Sequence, residues 1–110
     1  MEPAFRAVTH RPDAATWLVT VSGELDLATA PRLEAIFEAL EPAPSDRVVV
    51  DLAAVTFLDS SGIRALVRAK RRLDDLRAAL VVDGASPSAR QVLEIAGVLD
   101  LLSDGSDPAT

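Results

Sequence analysis

The chain of 110 residues has no cysteine and no tyrosine, and only one tryptophan, one histidine and one lysine. Without cysteine there is no disulfide framework, no thiolate metal site and no cysteine nucleophile. That composition fits a reducing compartment. The single histidine, His10, lies in a proline-containing stretch, and no G-x-S-x-G elbow occurs, so a Ser-His-Asp hydrolase is not expected. No histidine and carboxylate stand at metal-ligand spacing. We therefore expect a non-enzyme with no catalytic residue, no metal site and no cofactor. Basic residues are also few: 11 against 17 acidic, for a formal charge of -6 and a pI near 4.6. Nucleic-acid binding depends on cations that neutralise phosphates, so it is not expected either. No secretory h-region opens the chain and no apolar run reaches membrane-spanning length. The expectation is a soluble, cytoplasmic protein without membrane insertion, its oligomeric state undetermined.

What is present is a chain that is 49% hydrophobic, enough for one modest core. Phe5–Thr9 reads as a short strand and "HRPDAAT" (His10–Thr16) as a turn. "TWLVTVSG" (Thr16–Gly23) is a second strand, with Trp17, Val19 and Val21 on one face and Thr16, Thr20 and Ser22 on the other. Leu27–Leu40 reads as a helix with Thr29 as N-cap, Pro31 in its first turn and Leu33, Ile36, Phe37 and Leu40 on one face. "RVVVDL" (Arg47–Leu52) is a third strand, its polar face carrying Arg47 and Asp51. Asp51 reads as a solvated strand residue rather than a metal ligand. A helix from Ser61 to Leu76 should bury Ile63, Leu66, Val67, Leu73 and Leu76. Ala78–Asp83 is a fourth strand. In Gly84–Gly97, Ser86 is the N-cap, Pro87 the first helical residue and Gly97 the stop, with Ala89, Val92, Leu93 and Ala96 inward. "VLDLL" (Val98–Leu102) adds a last short strand, and Ser103–Thr110 is a polar tail.

Alternating strands and helices imply right-handed crossovers and parallel neighbours. Strands covered on both faces would be apolar throughout. Two of these keep a polar face, so we expect an α/β fold: a mixed sheet of four to five strands with helices mainly on one face. The whole chain, 1–110, should be one domain, its core about 4–102 and its tail 103–110.

The stretch "FLDSSGIRAL" (Phe57–Leu66) holds the chemistry. Asp, Ser and Ser are what a helix start prefers, and alone they read as a cap. Gly62 argues for more, because glycine costs about 0.5–1 kcal/mol there relative to alanine. It lets something approach the backbone. A hydroxyl before a helix start is open to modification, and free amides and the positive dipole end would hold a phosphate. A phosphoserine adds roughly -1.5 to -2 charges. Against one partner carboxylate about 5 Å away, a dianion costs about 1.7 kcal/mol in water and more at a dry interface. A hundredfold loss of affinity needs about 2.8 kcal/mol, so one phosphate is large enough to switch a moderate interface.

Three segments together resemble the anti-sigma factor antagonist family, the bacterial STAS domain: "GELDLATAPRL" (Gly23–Leu33), "VVVDLAAVTFLDSSGIRAL" (Val48–Leu66) and "GASPSARQVLEIAGVLDLL" (Gly84–Leu102). The resemblance covers Phe5–Leu102. It implies that Ser60, the first serine after the aspartate, is phosphorylated, and that Ser61 is its helix-start neighbour. It implies partner switching as well. The unphosphorylated domain would bind an anti-sigma factor serine kinase, phosphorylation would release it, and a serine phosphatase would reset the mark. ATP and Mg²⁺ would belong to the kinase. The alternative is a STAS binding subunit of a stress-signalling complex, or of a lipid or anion transport assembly, not switched by phosphorylation.

Two departures stand out. Arg64 replaces a residue that is small in many relatives, and it could pair with the phosphate or alter kinase choice. The usual final helix is replaced by a polar tail.

Asp26 lies in the family's partner-contact region, but it is also a natural turn residue. Glu24 is the weaker candidate beside it. Thr29 is a cap that would sit on the same rim, and Asp59 would orient Ser60, bond the loop or repel a phosphate. The partner-binding candidates are thus Asp26, Thr29, Asp59, Ser61, Gly62 and Arg64. "RAKRR" (Arg68–Arg72) reads as a solvated helix face, or as a match for an acidic partner patch. No aromatics interleave with it, so base stacking has no support. Trp17 is expected in the core.

Overall fold

A computed structural model describes residues 5–98 and Leu102. Its order is β1 (Arg6–Asp13), β2 (Thr16–Leu25), α1 (Ala30–Ala39), β3 (Arg47–Leu58), α2 (Ser60–Asp75), β4 (Ala79–Asp83) and α3 (Pro87–Ile95). The sheet order is β1-β2-β3-β4, with β1–β2 antiparallel and the other two pairs parallel. This is the mixed four-stranded α/β sheet that the strand–helix alternation predicts.

The two sheet faces differ as the polar positions require. Val19, Val50 and Val82 lie in register, as do Val48 and Leu80, and with Val21 they are buried on one face. Leu33 and Phe37 of α1, Leu66 and Leu73 of α2 and Leu93 of α3 complete that core. On the other face Leu18, Thr20, Val49 and Asp51 are half-buried and Val8 is exposed. The helices therefore stack mainly on one side. Burying a Val, Leu or Phe side chain contributes roughly 1.5–3 kcal/mol, so this layer holds the domain together.

Several boundaries differ from expectation. Strand β1 runs on to Asp13, so His10, Arg11 and Pro12 are strand, not turn. Proline is tolerated there because β1 is an edge strand and its register breaks between His10 and Asp13. The actual turn is closed by Asp13, whose carboxylate accepts from the Ala15 N–H at 2.9 Å and the Thr16 hydroxyl at 3.2 Å. Those bonds hold the Asp13 carboxyl below its ordinary value, the Ala15 amide first. Strand β3 continues six residues past Leu52. Its register against β2 shifts twice, between Thr20 and Ser22 and between Gly23 and Glu24. Each bulge breaks the two-residue alternation, which hides the strand in the sequence.

Helix α2 begins one residue earlier than expected. Leu76 and Ala96 are exposed rather than core, because each follows the last turn of its helix. Ile63, Val67 and Val92 are only half-buried. Trp17 is half-buried too, its indole N–H donating to Asp46 at 3.3 Å and the Arg11 guanidinium 3.8 Å above its ring. Of the strand expected at Val98–Leu102, residues 99–101 lie outside the described residues. Leu102 is helical and buried, its N–H donating to the Val98 carbonyl at 3.1 Å, so that end is not strand. The tail, 103–110, also lies outside.

The basic run is not uniformly solvated. Arg64, Arg68 and Arg71 are exposed, but Lys70 is buried and paired with Asp74 at 2.7 Å. Arg72 reaches across to the end of α1, donating to the carbonyls of Phe37, Glu38 and Leu40 at 3.0, 3.3 and 3.1 Å. The Phe37 carbonyl also accepts from the Leu40 N–H at 3.2 Å, and all three belong to the helix end, where intrahelical donors run out.

Candidate functional site

Two loops meet at the carboxyl ends of β2 and β3, the end of a parallel sheet where ligands commonly sit. Leu25 and Leu58 are paired in the ladder, and the Asp59 N–H donates to the Leu25 carbonyl at 3.3 Å. The "GELD" and "LDSSG" segments are thereby tied into one rim.

Asp59 is the N-cap of α2, with extended backbone. Its Oδ1 accepts from the Ser61 N–H at 2.8 Å and the Gly62 N–H at 3.3 Å. A carboxylate at a helix start also complements the dipole. Ser60 is the first helical residue and is exposed; Ser61 beside it is half-buried. The expected cradle of free amides is therefore corrected: two of those donors already serve Asp59. A phosphate on Ser60 would project from the helix start with a carboxylate for a neighbour.

Gly62 is corrected as well. It is buried, not on the rim surface. A Cβ built there would lie 2.5 Å from Leu58 Cδ1 and 2.8 Å from Leu25 Cγ. What approaches this backbone is the domain's own core. Arg64 is exposed one turn further along α2.

Asp26 and Thr29 fold the β2–α1 loop. Asp26 Oδ1 accepts from the N–H groups of Ala28 and Thr29 at 3.0 and 3.1 Å. The Thr29 hydroxyl donates to the Glu24 carbonyl at 2.8 Å and accepts from the Asp26 N–H at 2.9 Å. Thr29 occupies the N-cap position of α1, yet its side chain caps no helix amide. Asp26 thus acts as the turn residue its position suggests, bonding amides that precede α1, while Thr29 holds the cap position without capping. Both side chains are half-buried and spent on loop bonds.

Two apolar residues at this end went unnoticed in the sequence. Leu27, at the apex of the β2–α1 loop, is 77% exposed, and Phe57, three residues before Ser60, is 47% exposed. Single exposed apolar residues are ordinary. A leucine and a phenylalanine at the end that carries the exposed serine give a protein partner something to bury. The sequence signals only Leu27, an apolar residue beside the turn acid Asp26; Phe57 lies in β3 and its exposure follows from the fold. A cleft of about 350 Å³ between α1 and α2, with Phe37, Ala65 and Ala69 on its floor, contains none of the rim residues. Among the described residues, no helix is long and apolar enough to cross a membrane.

A family model described as "Mlab, STAS domain" matches residues 8–103. The anti-sigma-B factor antagonist of Staphylococcus epidermidis is 32% identical over 84 residues, 76% of this chain and 78% of that protein. That of Listeria monocytogenes is 30% identical over 84 residues, covering 76% of this chain and 74% of its own. The crystal structure of an anti-sigma factor antagonist from Mycobacterium paratuberculosis aligns with a TM-score of 0.73 at 28% identity. It covers 90% of this chain and 83% of that one.

Proposed function

We propose a function from one premise: this chain belongs to the STAS domain family. In our reading it is an anti-sigma factor antagonist that works by partner switching. The unmodified domain docks on an anti-sigma factor that is also an ATP-dependent serine kinase. The rim around Ser60 is the docking face, with Leu27 and Phe57 supplying apolar area. The kinase then transfers a phosphoryl group to the domain. The Ser60 hydroxyl oxygen attacks the γ-phosphorus of ATP, ADP leaves, and the hydroxyl proton passes to a base on the kinase. The new dianion at the rim expels the partner, and a metal-dependent serine phosphatase hydrolyses the ester to restore the hydroxyl. ATP and metal are held by those partners, and the chain itself contributes one nucleophilic oxygen and a surface.

The observation that carries this reading is the exposure of Ser60 at the first position of α2, above a packed core. A hydroxyl placed there meets a kinase without any unfolding, and a charge placed there leaves the core undisturbed. Asp59 beside it strengthens the effect, because two anions then stand at one helix start.

The test is reconstitution with the cognate kinase. Addition of ATP should place one phosphate on the chain, at Ser60 by mass spectrometry. Ser60→Ala should remain in complex with the kinase, while Ser60→Asp should bind poorly. A phosphate mapped repeatedly to another residue, or equal binding by both variants, would overturn the proposal. Recovery of a membrane transport complex in place of a kinase would point to the unswitched STAS subunit instead.

A further inference from the structure

A phosphate on Ser60 needs counter-charge, and the helix start no longer offers it freely. The Ser61 and Gly62 amides already donate to Asp59, and Asp59 is itself an anion adjacent to Ser60. Glu24 and Asp26 add acidic character to the same rim. The nearest cation along the chain is Arg64. It lies four residues on in α2, is exposed, and enters no ion pair among the described residues. The other cations of the helix from residue 68 on lie at least two turns from Ser60. Arg68 pairs with Glu34 at 3.4 Å, Lys70 with Asp74, and Arg72 is spent on the end of α1.

Residues four apart on a helix face each other, with Cβ atoms about 5–6 Å apart, and the favourable order places the anion N-terminal to the cation. Ser60 and Arg64 have that spacing and that order. A guanidinium also matches a phosphate better than an ammonium does, since its planar fork donates to two oxygens at once.

We propose that phosphorylated Ser60 is clasped by Arg64 one turn along α2, rather than by the amides at the helix start. The mark then does two things to the rim: it adds a dianion, and it withdraws the cation that the bare domain offers to an acidic patch on its partner. This rests on the reading that Ser60 is the modified residue.

The test uses the full chain with phosphoserine inserted at position 60 during translation, so no kinase is involved. Thermal midpoints of the phosphorylated and unmodified chains are compared for wild type, Arg64→Ala and Arg64→Lys. In low salt, phosphorylation should shift the wild-type midpoint more favourably than that of Arg64→Ala by about 2 °C or more. Arg64→Lys should recover part of the difference. Salt near 1 M, where the screening length is about 3 Å, should abolish it. The phosphorus-31 resonance should also report a more readily ionised phosphate in wild type than in Arg64→Ala. The same phosphorylation response in all three chains, with coincident phosphorus titrations, would overturn the clasp. A kinase that fails to modify Ser60 would instead sink the proposed function, and it would leave this measurement with its own answer.

Discussion

Gly62 shows how a single missing carbon sets the geometry of the rim. Alanine is the better helix former by up to about 1 kcal/mol. Here its Cβ would meet Leu58 Cδ1 at 2.5 Å and Leu25 Cγ at 2.8 Å, closer than real contacts allow. Overpacking a core costs about 1–3 kcal/mol, so the steric loss outweighs the propensity gain. Gly62→Ala should therefore lower the midpoint of denaturant unfolding, and a midpoint equal to or above wild type would refute the packing role. Leu27 and Phe57 behave in the opposite way. Both are exposed, so Leu27→Ser and Phe57→Ser should change stability by less than about 0.5 kcal/mol. Each should weaken kinase binding several-fold in titration calorimetry if the rim is the docking face. Unchanged binding in both would place the interface elsewhere.

Between elements, Arg72 joins α1 and α2 near their C-terminal ends, away from the rim. It donates to three carbonyls at the end of α1, one of them shared with the Leu40 N–H, across more than thirty residues of sequence. Arg72→Leu should keep the aliphatic packing and lose those bonds. Hydrogen bonds to charged groups contribute about 1.5–3 kcal/mol, and partial solvation places the expected loss of unfolding free energy near the lower figure. No loss would mean that water satisfies those carbonyls as well. The sequence made the element order legible because its strongest periodicities, such as Leu33 and Phe37 in α1 with Leu40 at its C-cap, are set by one packed face. Ser86 and Gly97 were legible for local reasons. A serine oxygen accepts the Ala89 amide at 3.2 Å, and Gly97 adopts a φ of 76° that glycine tolerates. What was hidden depends on partners distant in sequence. The second half of β3 is masked by two register shifts, and β1 past Thr9 by a proline that only an edge strand accepts. Lys70 reads as solvated until α2 is packed. Within the site, the position of Ser60 at a helix start was legible. The amides that Asp59 occupies are a local cap, also legible, while the buried Gly62 emerges only when Leu25 and Leu58 are brought side by side, and the exposure of Leu27 and Phe57 only in the folded chain.

At the scale of the whole molecule, the sheet and its helix layer hold the buried core and the rim lies at one end of it. The core runs up to Leu25 and Leu58, which meet the buried Gly62 of α2, while Ser60 stands outside it. Under the proposed switch the formal charge of -6 would become more negative, but the added charge would be local, and beyond about 8 Å physiological salt would screen it. The mark should therefore act on a docked protein and leave the fold intact. The most direct test measures kinase affinity and the circular dichroism spectrum together, for the bare chain and for the chain carrying phosphoserine 60. Affinity should fall by about a hundredfold or more, equivalent to about 2.8 kcal/mol, while the spectrum and its cooperative melting transition persist. Equal affinity for the two forms, or a loss of binding that accompanies unfolding, would contradict the account.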